Sequence, residues 1–362
     1  MSSRLEETRE PLRLGVDAAN LLVDRRGIGR YARSLIKRWI EHDADRVDVT
    51  LLVPTVLPSL VARRLAGELG VARVAVSGRH RSRRRPYDIA WHPWNGIFFA
   101  SGSCDVATIH DVWPFVDAPA DDPELAQRRQ QPFLRAAAEA RHVITDSQFS
   151  KREIVRHLGM ESDRIDVVPL GVDASLVSSR PRPARFEGVE RYVLFVGEME
   201  ARKDIQTLLS SMALLPPALR ASTALVIAGK RASSASVPAG VRIEFLGDVD
   251  DGRLASLYAG AAAFAFPSRY EGFGLPVLEA MALGAPVVAS DAASLPEAGG
   301  DAAVYFHAGD AQMLAAELER VMTDPRFAAE LRDKGRKRAA EMSWDRCAEQ
   351  TLAIFERIAG RR

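Results

Sequence analysis

Two glutamates, Glu271 and Glu279, enclose seven residues that include the turn Gly272-Phe273-Gly274-Leu275-Pro276. A carboxylate accepts hydrogen bonds from paired hydroxyls, such as those of a ribose or a hexose. The turn follows an apolar run at residues 263–266 and precedes a helical pattern in which Pro276 suits the first turn. The amides of Phe273, Gly274 and Leu275 then project from the positive end of a helix, where an anionic phosphate is favoured. Glycine at such a place lets a ligand approach the main chain. This reading puts Glu271 before the helix and Glu279 in its first turn. A Glu279 that only complements the helix dipole and a Glu271 in solvent would explain each glutamate alone, but not the pair with its glycines.

Arg202-Lys203 follows the apolar run 192–196 and Gly197. That is a loop at the carboxyl edge of a parallel strand, where open α/β sheets bind ligands. A planar guanidinium fork and a compact ammonium suit a diphosphate and can stabilise negative charge growing on a departing one. A solvated pair is the commoner fate of such a dipeptide, and its place after a glycine-ended strand is what favours a site. His110 closes the apolar run 106–109, again at a sheet edge. A lone histidine there is either structural or a ligand contact.

Three further segments invite a chemical reading. Gly27-Ile28-Gly29-Arg30-Tyr31-Ala32 fits G-x-G-x-x-A, but it lies well past the first strand, and the second strand ends in Val53-Pro54 without the acidic residue that would hold an adenosine ribose. A nicotinamide oxidoreductase is disfavoured on that ground. Asp248-Val249-Asp250 has the D-x-D spacing of a metal site, yet it directly precedes a helical pattern, so capping by Asp250 or Asp251 is the better reading and no catalytic metal is expected. Arg79-His80-Arg81-Ser82-Arg83-Arg84-Arg85 is a solvated loop or a patch for anionic lipid headgroups or an anionic glycan.

These residues need a scaffold, and the sequence supplies one. Short apolar runs at 12–16, 47–53, 71–76, 105–109, 142–145 and 165–168 alternate with helical patterns. This is the rhythm of parallel βαβ units. After residues 178–185, rich in proline and charge, the rhythm restarts with runs at 192–196, 224–227, 243–246, 263–266, 286–289 and 302–306. The second set is continuously apolar, as when helices cover both faces of a sheet. Residues 343–358 read as a terminal helix with Trp344, Leu352, Ile354, Phe355 and Ile358 on its apolar face. The expected domains are 1–180, 181–342 and a terminal helix in 343–362.

Length and composition agree with two domains. The 362 residues exceed the roughly 250 to 300 at which single cores stop growing, and 47% hydrophobic with 27% charged residues is the balance of a folded globular chain. A formal net charge of +1 argues against a general nucleic-acid surface. Cys104 and Cys347 lack metal-ligand spacing and form no disulfide framework, which fits a reducing cytoplasm. Residues 1–11 are polar and lack the apolar core of a secretory signal, and no apolar run approaches the ~20 residues of a membrane span. Any membrane contact is expected to be peripheral.

The stretch from Glu271 to Glu279 resembles the E-x7-E motif of glycosyltransferase family 4, retaining enzymes of the GT-B fold. The resemblance extends along almost the whole chain through Gly27-Ile28-Gly29-Arg30-Tyr31, Ile109-His110-Asp111, Thr145-Asp146-Ser147-Gln148-Phe149-Ser150-Lys151, Val168-Pro169-Leu170-Gly171-Val172, Phe195-Val196-Gly197, Arg202-Lys203 and Leu295-Pro296-Glu297. One departure is Glu198, which follows Gly197 where many relatives carry arginine, leaving Arg202 as the arginine partner of Lys203. The resemblance implies an α/β protein of two facing Rossmann-like domains, an acceptor-binding one and a C-terminal one for the nucleotide sugar, with the terminal helix packing back on the first. It implies His110, Arg202, Lys203 and Glu271 as catalytic residues, His110 acting on the donor sugar through its backbone carbonyl. It implies donor contacts from Gly29, Val249, Phe273, Gly274, Leu275 and Glu279, with Gly29 in a flexible loop nearest the phosphates and Val249 at the base.

The implied reaction is transfer of a hexose, with retained configuration, from a nucleoside-diphosphate sugar to a glycan or lipid-linked acceptor, without a cofactor. Resemblance to bacterial mannosyltransferases favours mannose from GDP-mannose over a UDP-sugar. No second carboxylate offers itself as a covalent nucleophile, so the family's same-face mechanism is implied, in which the departing phosphate deprotonates the acceptor hydroxyl. The rivals are a nucleotide-sugar epimerase or hydrolase on the same fold and a non-catalytic sugar-nucleotide-binding subunit.

Overall fold

The computed structural model describes residues 10–24, 27–55, 57–78, 87–117, 122–173, 176, 178, 180–230 and 237–361. The basic run at 79–85 and most of the polar N-terminal stretch lie outside the described residues. The chain divides into two compact units. The first gathers Met1–Asp146, Ser150–Val168 and Trp344–Arg362, and the second gathers Ser147–Phe149 and Pro169–Ser343.

The first unit is built on β1 (Leu12–Asp17), β2 (Val47–Val53), β3 (Ala75–Gly78), β4 (Ile89–His92), β5 (Asp105–Thr108), β6 (His142–Thr145) and β7 (Ile165–Val167). Their order is β3-β2-β1-β4-β5-β6-β7, and every pairing is parallel. Leu14 pairs with Val49 on one side and Ile89 on the other, and the β4 and β6 residues are all buried. The sequence reading missed β4, a central strand. It has only four residues, ends at Pro93, and contains the polar His92, whose Nε2 lies 2.8 Å from Asp105 Oδ1. The third strand also sits later than expected, at Ala75–Gly78 in place of 71–76.

The glycine-rich segment at 27–32 was expected to be a flexible loop, and the structure corrects this. Gly27–His42 is one helix. A β-carbon on Gly29 would fall 1.8 Å from the Asp24 carbonyl oxygen, so this glycine permits a close backbone crossing. Arg33 fixes the same segment by donating to the carbonyls of Leu21 and Asp24 at 3.1 and 2.6 Å.

The helix Trp344–Ile358 packs against Gly27–His42 and belongs to the first unit. Trp39 Nε1 donates to the Ala348 carbonyl at 3.1 Å, and Phe355 stacks edge-on against Trp39 and tilted against Trp91, with centroids 5.8 and 5.9 Å apart. Arg46 pairs with Glu349 and Glu356 at 2.7 and 3.0 Å. Buried aromatic pairs of this kind add to the area they hide, so the helix completes the core of this unit.

The second unit has a sheet of β8 (Arg191–Val196), β9 (Thr223–Ala228), β10 (Arg242–Gly247), β11 (Ala263–Phe266), β12 (Val287–Ser290) and β13 (Ala303–Phe306). Its order is β10-β9-β8-β11-β12-β13, again parallel throughout. β9, β11 and β12 are buried at every position, which is why they read as unbroken apolar runs. Leu208, Leu209 and Met212 of the helix Ile205–Leu214 meet Phe195, Ile227 and Val288 in its core. The chain winds outward from β8 through β9 to β10, then restarts on the other side of β8 with β11. Crossovers therefore leave a crevice beyond the carboxyl ends of β8 and β11, the place where open α/β sheets bind ligands.

Candidate active site

The loops that follow β8 and β11 carry the charged residues singled out above. After β8, Ala201–Lys203 forms a single 3-10 turn closed by Asp204, whose φ is 46°. After β11, the chain passes through Ser268 to Glu271 before the helix Leu275–Ala282 begins. The two loops are knitted together: Arg269 N donates to the Arg202 carbonyl at 2.7 Å, and the Arg269 side chain pairs with Asp204 at 2.7 Å.

Glu271 meets both cations. Its Oε1 lies 2.5 Å from Lys203 Nζ and its Oε2 3.6 Å from Arg202 Nη1. Arg202 Nε also donates to Glu200 Oε2 at 2.7 Å. Lys203 is buried, with Nζ 4.8 Å from the centre of the Phe266 ring. That arrangement holds an ammonium over an aromatic face and against a carboxylate in a partly desolvated place. The Glu271 backbone is fixed in turn, because Ser294 Oγ donates to its carbonyl at 2.8 Å. Glu200 sits below its ordinary value: burial works to raise it, and the hydrogen bond and charge of Arg202 outweigh that.

Gly274 is the N-cap of Leu275–Ala282, with φ at 110° and Pro276 in the first turn. The left-handed φ favours glycine there, and a β-carbon would also displace the Leu295 side chain, whose Cδ2 would lie 2.8 Å away. Phe273 is buried beside it and Leu275 opens the helix. Glu279 was expected in the first turn, but that turn holds no acidic residue and Glu279 falls in the second. Dipole complementation fades within the first turn, so it does not account for a buried glutamate here. Tyr258 donates to Glu279 Oε2 at 3.2 Å. Asp250 caps the helix Asp251–Gly260 by accepting from Arg253 N at 2.7 Å, and the half-buried Val249 precedes it in the loop after β10.

His110 belongs to the first unit, just past β5, and is buried. Its Nδ1 is 2.7 Å from Asp146 Oδ2 and its Nε2 3.2 Å from the Pro93 carbonyl. Its backbone is held as well: the amide donates to Asn95 Oδ1 at 2.6 Å, and the carbonyl accepts from Ser150 Oγ at 2.8 Å. Tyr31, from the same helix as Gly29, meets the ring edge-on at 4.9 Å. Burial lowers the affinity of His110 for a proton, yet the charge and hydrogen bond of Asp146 and the Pro93 carbonyl prevail and raise its value.

The structure thus brings Arg202, Lys203 and Glu271 together, sets Phe273, Gly274 and Leu275 at a helix start, and gives His110 a closed set of partners. Glu200, Tyr258 and Ser294 are additional members of these clusters. Asp146 stands within a motif quoted for the resemblance, but nothing local in the sequence marks its pairing with a histidine 36 residues earlier.

Known proteins resemble the chain in sequence and in fold. The profile described as "Glycosyl transferases group 1" matches residues 180–338, and that described as "Glycosyltransferase Family 4" matches residues 25–176. The chain is 33% identical to O-antigen chain mannosyltransferase B of Escherichia coli over 365 residues, covering 91% of this chain and 96% of that one. It is 32% identical to the MMP alpha-(1->4)-mannosyltransferase of Mycolicibacterium hassiacum over 243 residues, 63% of this chain and 56% of that one. Sucrose-phosphate synthase from Thermosynechococcus elongatus shares the fold with a TM-score of 0.70 at 21% identity, covering 98% of this chain and all of that one (100%). Anabaena Alr3699/HepE in complex with UDP and glucose also gives a TM-score of 0.70, at 17% identity over 96% of this chain and 100% of the other.

Proposed function

The chain belongs to glycosyltransferase family 4 and is a hexosyltransferase, and from that premise we propose that it moves mannose from GDP-mannose to a glycan or lipid-linked acceptor with retention of configuration. The observation that carries the proposal is the meeting of Arg202, Lys203 and Glu271 at the carboxyl ends of β8 and β11. An arriving diphosphate competes with Glu271 for both cations, and charge-assisted hydrogen bonds to them strengthen as the leaving group gains charge. Glu271, relieved of part of its ion pairing, can accept a hydroxyl of the hexose.

The remaining roles follow the same logic. The amides of Phe273, Gly274 and Leu275 face the phosphates from a helix start. Glu279, with Tyr258 beside it, accepts the ribose hydroxyls, and Val249 lies against the base. His110 and Gly29 take the donor roles that the family resemblance implies. Identity with two mannosyltransferases supports mannose as the sugar. Proton transfer runs from the acceptor hydroxyl to the departing phosphate oxygen, without a metal or cofactor. A lipid-linked acceptor would bring the protein to the inner face of a membrane as a peripheral contact. Among the described residues no helix is long and apolar enough to cross one.

The test supplies the purified protein with GDP-mannose or UDP-hexoses and a lipid-linked or oligosaccharide acceptor, and reads released nucleotide and product stereochemistry. Acceptor-dependent GDP release with an α-mannosidic product is expected. Turnover of UDP-sugars alone would reject the donor, a β product would reject retention, and release to water whether or not acceptor is present would favour a hydrolase.

A further inference from the structure

We propose that Asp146 is a positioning residue that holds His110 as a doubly protonated imidazolium, both ring N–H groups committed within the protein, so that this ring cannot take the acceptor's proton. The proposal rests on the placement of His110 at the donor sugar made above, and it adds to that reading the charge state of the ring and the residue that sets it.

The partner of Nε2, the Pro93 carbonyl oxygen at 3.2 Å, has no hydrogen to give, so Nε2 must carry one. Nδ1 faces Asp146 Oδ2 at 2.7 Å, where one proton lies between an imidazole and a carboxylate. Their ordinary affinities differ by about 2.5 pK units in favour of the imidazole, which places the proton on Nδ1. Asp146 is buried, and its Oδ1 has no hydrogen-bond partner among the described residues, so its interaction with His110 is what compensates its charge. Breaking such a buried pair leaves an uncompensated ion.

The ring is also unable to turn away cheaply. Asn95 and Ser150 fix the His110 backbone, and the Tyr31 ring stands against the imidazole with an interplanar angle of 88°. The other titratable groups nearby leave the charge state alone. Tyr31 and Cys347 are both pushed well up by burial and stay neutral near pH 7, and Asp111 adds a further negative charge that favours the imidazolium.

An imidazolium with both protons engaged has no lone pair to accept another. The acceptor's proton must then go elsewhere. As the acceptor oxygen bonds to the anomeric carbon and the bond from that carbon to the phosphate oxygen breaks, the proton passes to that phosphate oxygen and leaves with the nucleoside diphosphate. His110 contributes fixed geometry and its backbone carbonyl.

The test is nitrogen NMR of the ligand-free protein labelled with ¹⁵N-histidine at pH 7.5, with the His110 signals assigned by their loss in His110→Gln. Both His110 nitrogens should be protonated in the parent. In Asp146→Asn the side-chain amide can donate to Nδ1, so the ring should become neutral with the proton on Nε2, and kcat should fall about tenfold at nearly constant KM. A neutral ring in the parent would overturn the proposal, and a ring still doubly protonated in Asp146→Asn would overturn the part given to Asp146. If that variant does not fold, the parent spectrum decides. The spectrum needs no donor, so failure of the GDP-mannose assay would reject the donor reading while leaving this result standing, and a neutral ring in an active enzyme would reject this inference alone.

Discussion

His110 in the first unit and Lys203 in the second are both buried cationic groups held by one carboxylate, Asp146 at 2.7 Å and Glu271 at 2.5 Å. What surrounds them differs. Each ring nitrogen of His110 has a protein partner and its backbone is tied at both ends, so the pair is closed. Lys203 shares Glu271 with Arg202, which is itself shared with Glu200, so two cations and two carboxylates divide their charge among themselves. The closed pair resists rearrangement. The shared set can repartition when an anion enters, because phosphate oxygens can take the place of Glu271 beside either cation.

The difference should be largest at Lys203. Lys203→Ala should lower turnover roughly 10²- to 10³-fold at saturating donor, as loss of one preorganised charge-stabilising group does. It should also cost stability, about 3 kcal/mol, since Glu271 is left buried without its nearer cation. Steady-state rates and chemical denaturation check both. Near-normal turnover would remove Lys203 from the reaction.

A smaller effect is expected at Glu279. Removing hydrogen bonds to a charged acceptor costs about 1.5 to 3 kcal/mol, so Glu279→Ala should weaken nucleoside-diphosphate binding about tenfold to a hundredfold. Calorimetry with ribose and 2′-deoxyribose nucleotides on both proteins closes a double-mutant cycle. Additive losses would mean that something other than Glu279 holds the ribose. Tyr258→Phe, which removes the bond to Glu279 Oε2, should weaken binding only about threefold.

The closed pair should show itself in stability against pH. The value of His110 is raised in the folded state, so its contribution is fully present below the unfolded value of about 6.5 and is lost as pH rises through the folded one. Melting of the parent and of His110→Gln from pH 6 to about pH 9 should therefore converge as pH rises. A gap that stays constant across the range would show that no proton is linked to folding at His110. Effects on catalysis should be smallest in the loop after β10. Asp250→Ala should cost about 1 kcal/mol as a lost helix cap, and exhaustive chelation should leave transfer nearly unchanged. Activity abolished by chelation and restored by Mg²⁺ or Mn²⁺ would reinstate a metal at Asp248 and Asp250.

Where side chains are uniformly apolar, the sequence discloses the fold. Each run read in the second half falls in a strand of the second sheet; for β9, β11 and β12 burial at every position leaves a signal that needs no context, whereas the edge strand β10 is only partly buried and carries Glu244. β4 is just as buried, but Trp91 and His92 between short flanks give no such run, and its place beside β1 depends on pairings far along the chain. Gly29 misled in the other direction: glycine suggests a loop, whereas here it lets a helix start pass the Asp24 carbonyl. At the site, residue type and spacing brought Glu271, Glu279, Arg202 and Lys203 to notice. The ion pairs of Glu271 with Lys203 and of Arg202 with Glu200, the hydrogen bond from Tyr258 to Glu279 and the pairing of His110 with Asp146 arise from side-chain contacts that leave no local trace.

The helix Trp344–Ile358 carries a consequence for how the molecule is made. Its residues are joined to the first unit, yet on a ribosome they emerge only after the whole of Pro169–Ser343. Domains ordinarily fold in the order of their synthesis. Here the second unit is complete while Trp39 and Trp91 still await Phe355, and Arg46 still awaits Glu349 and Glu356. The half that begins the polypeptide should therefore be the last to mature, and a nascent chain halted before residue 344 should resist protease over 169–343 while its first 168 residues are cut.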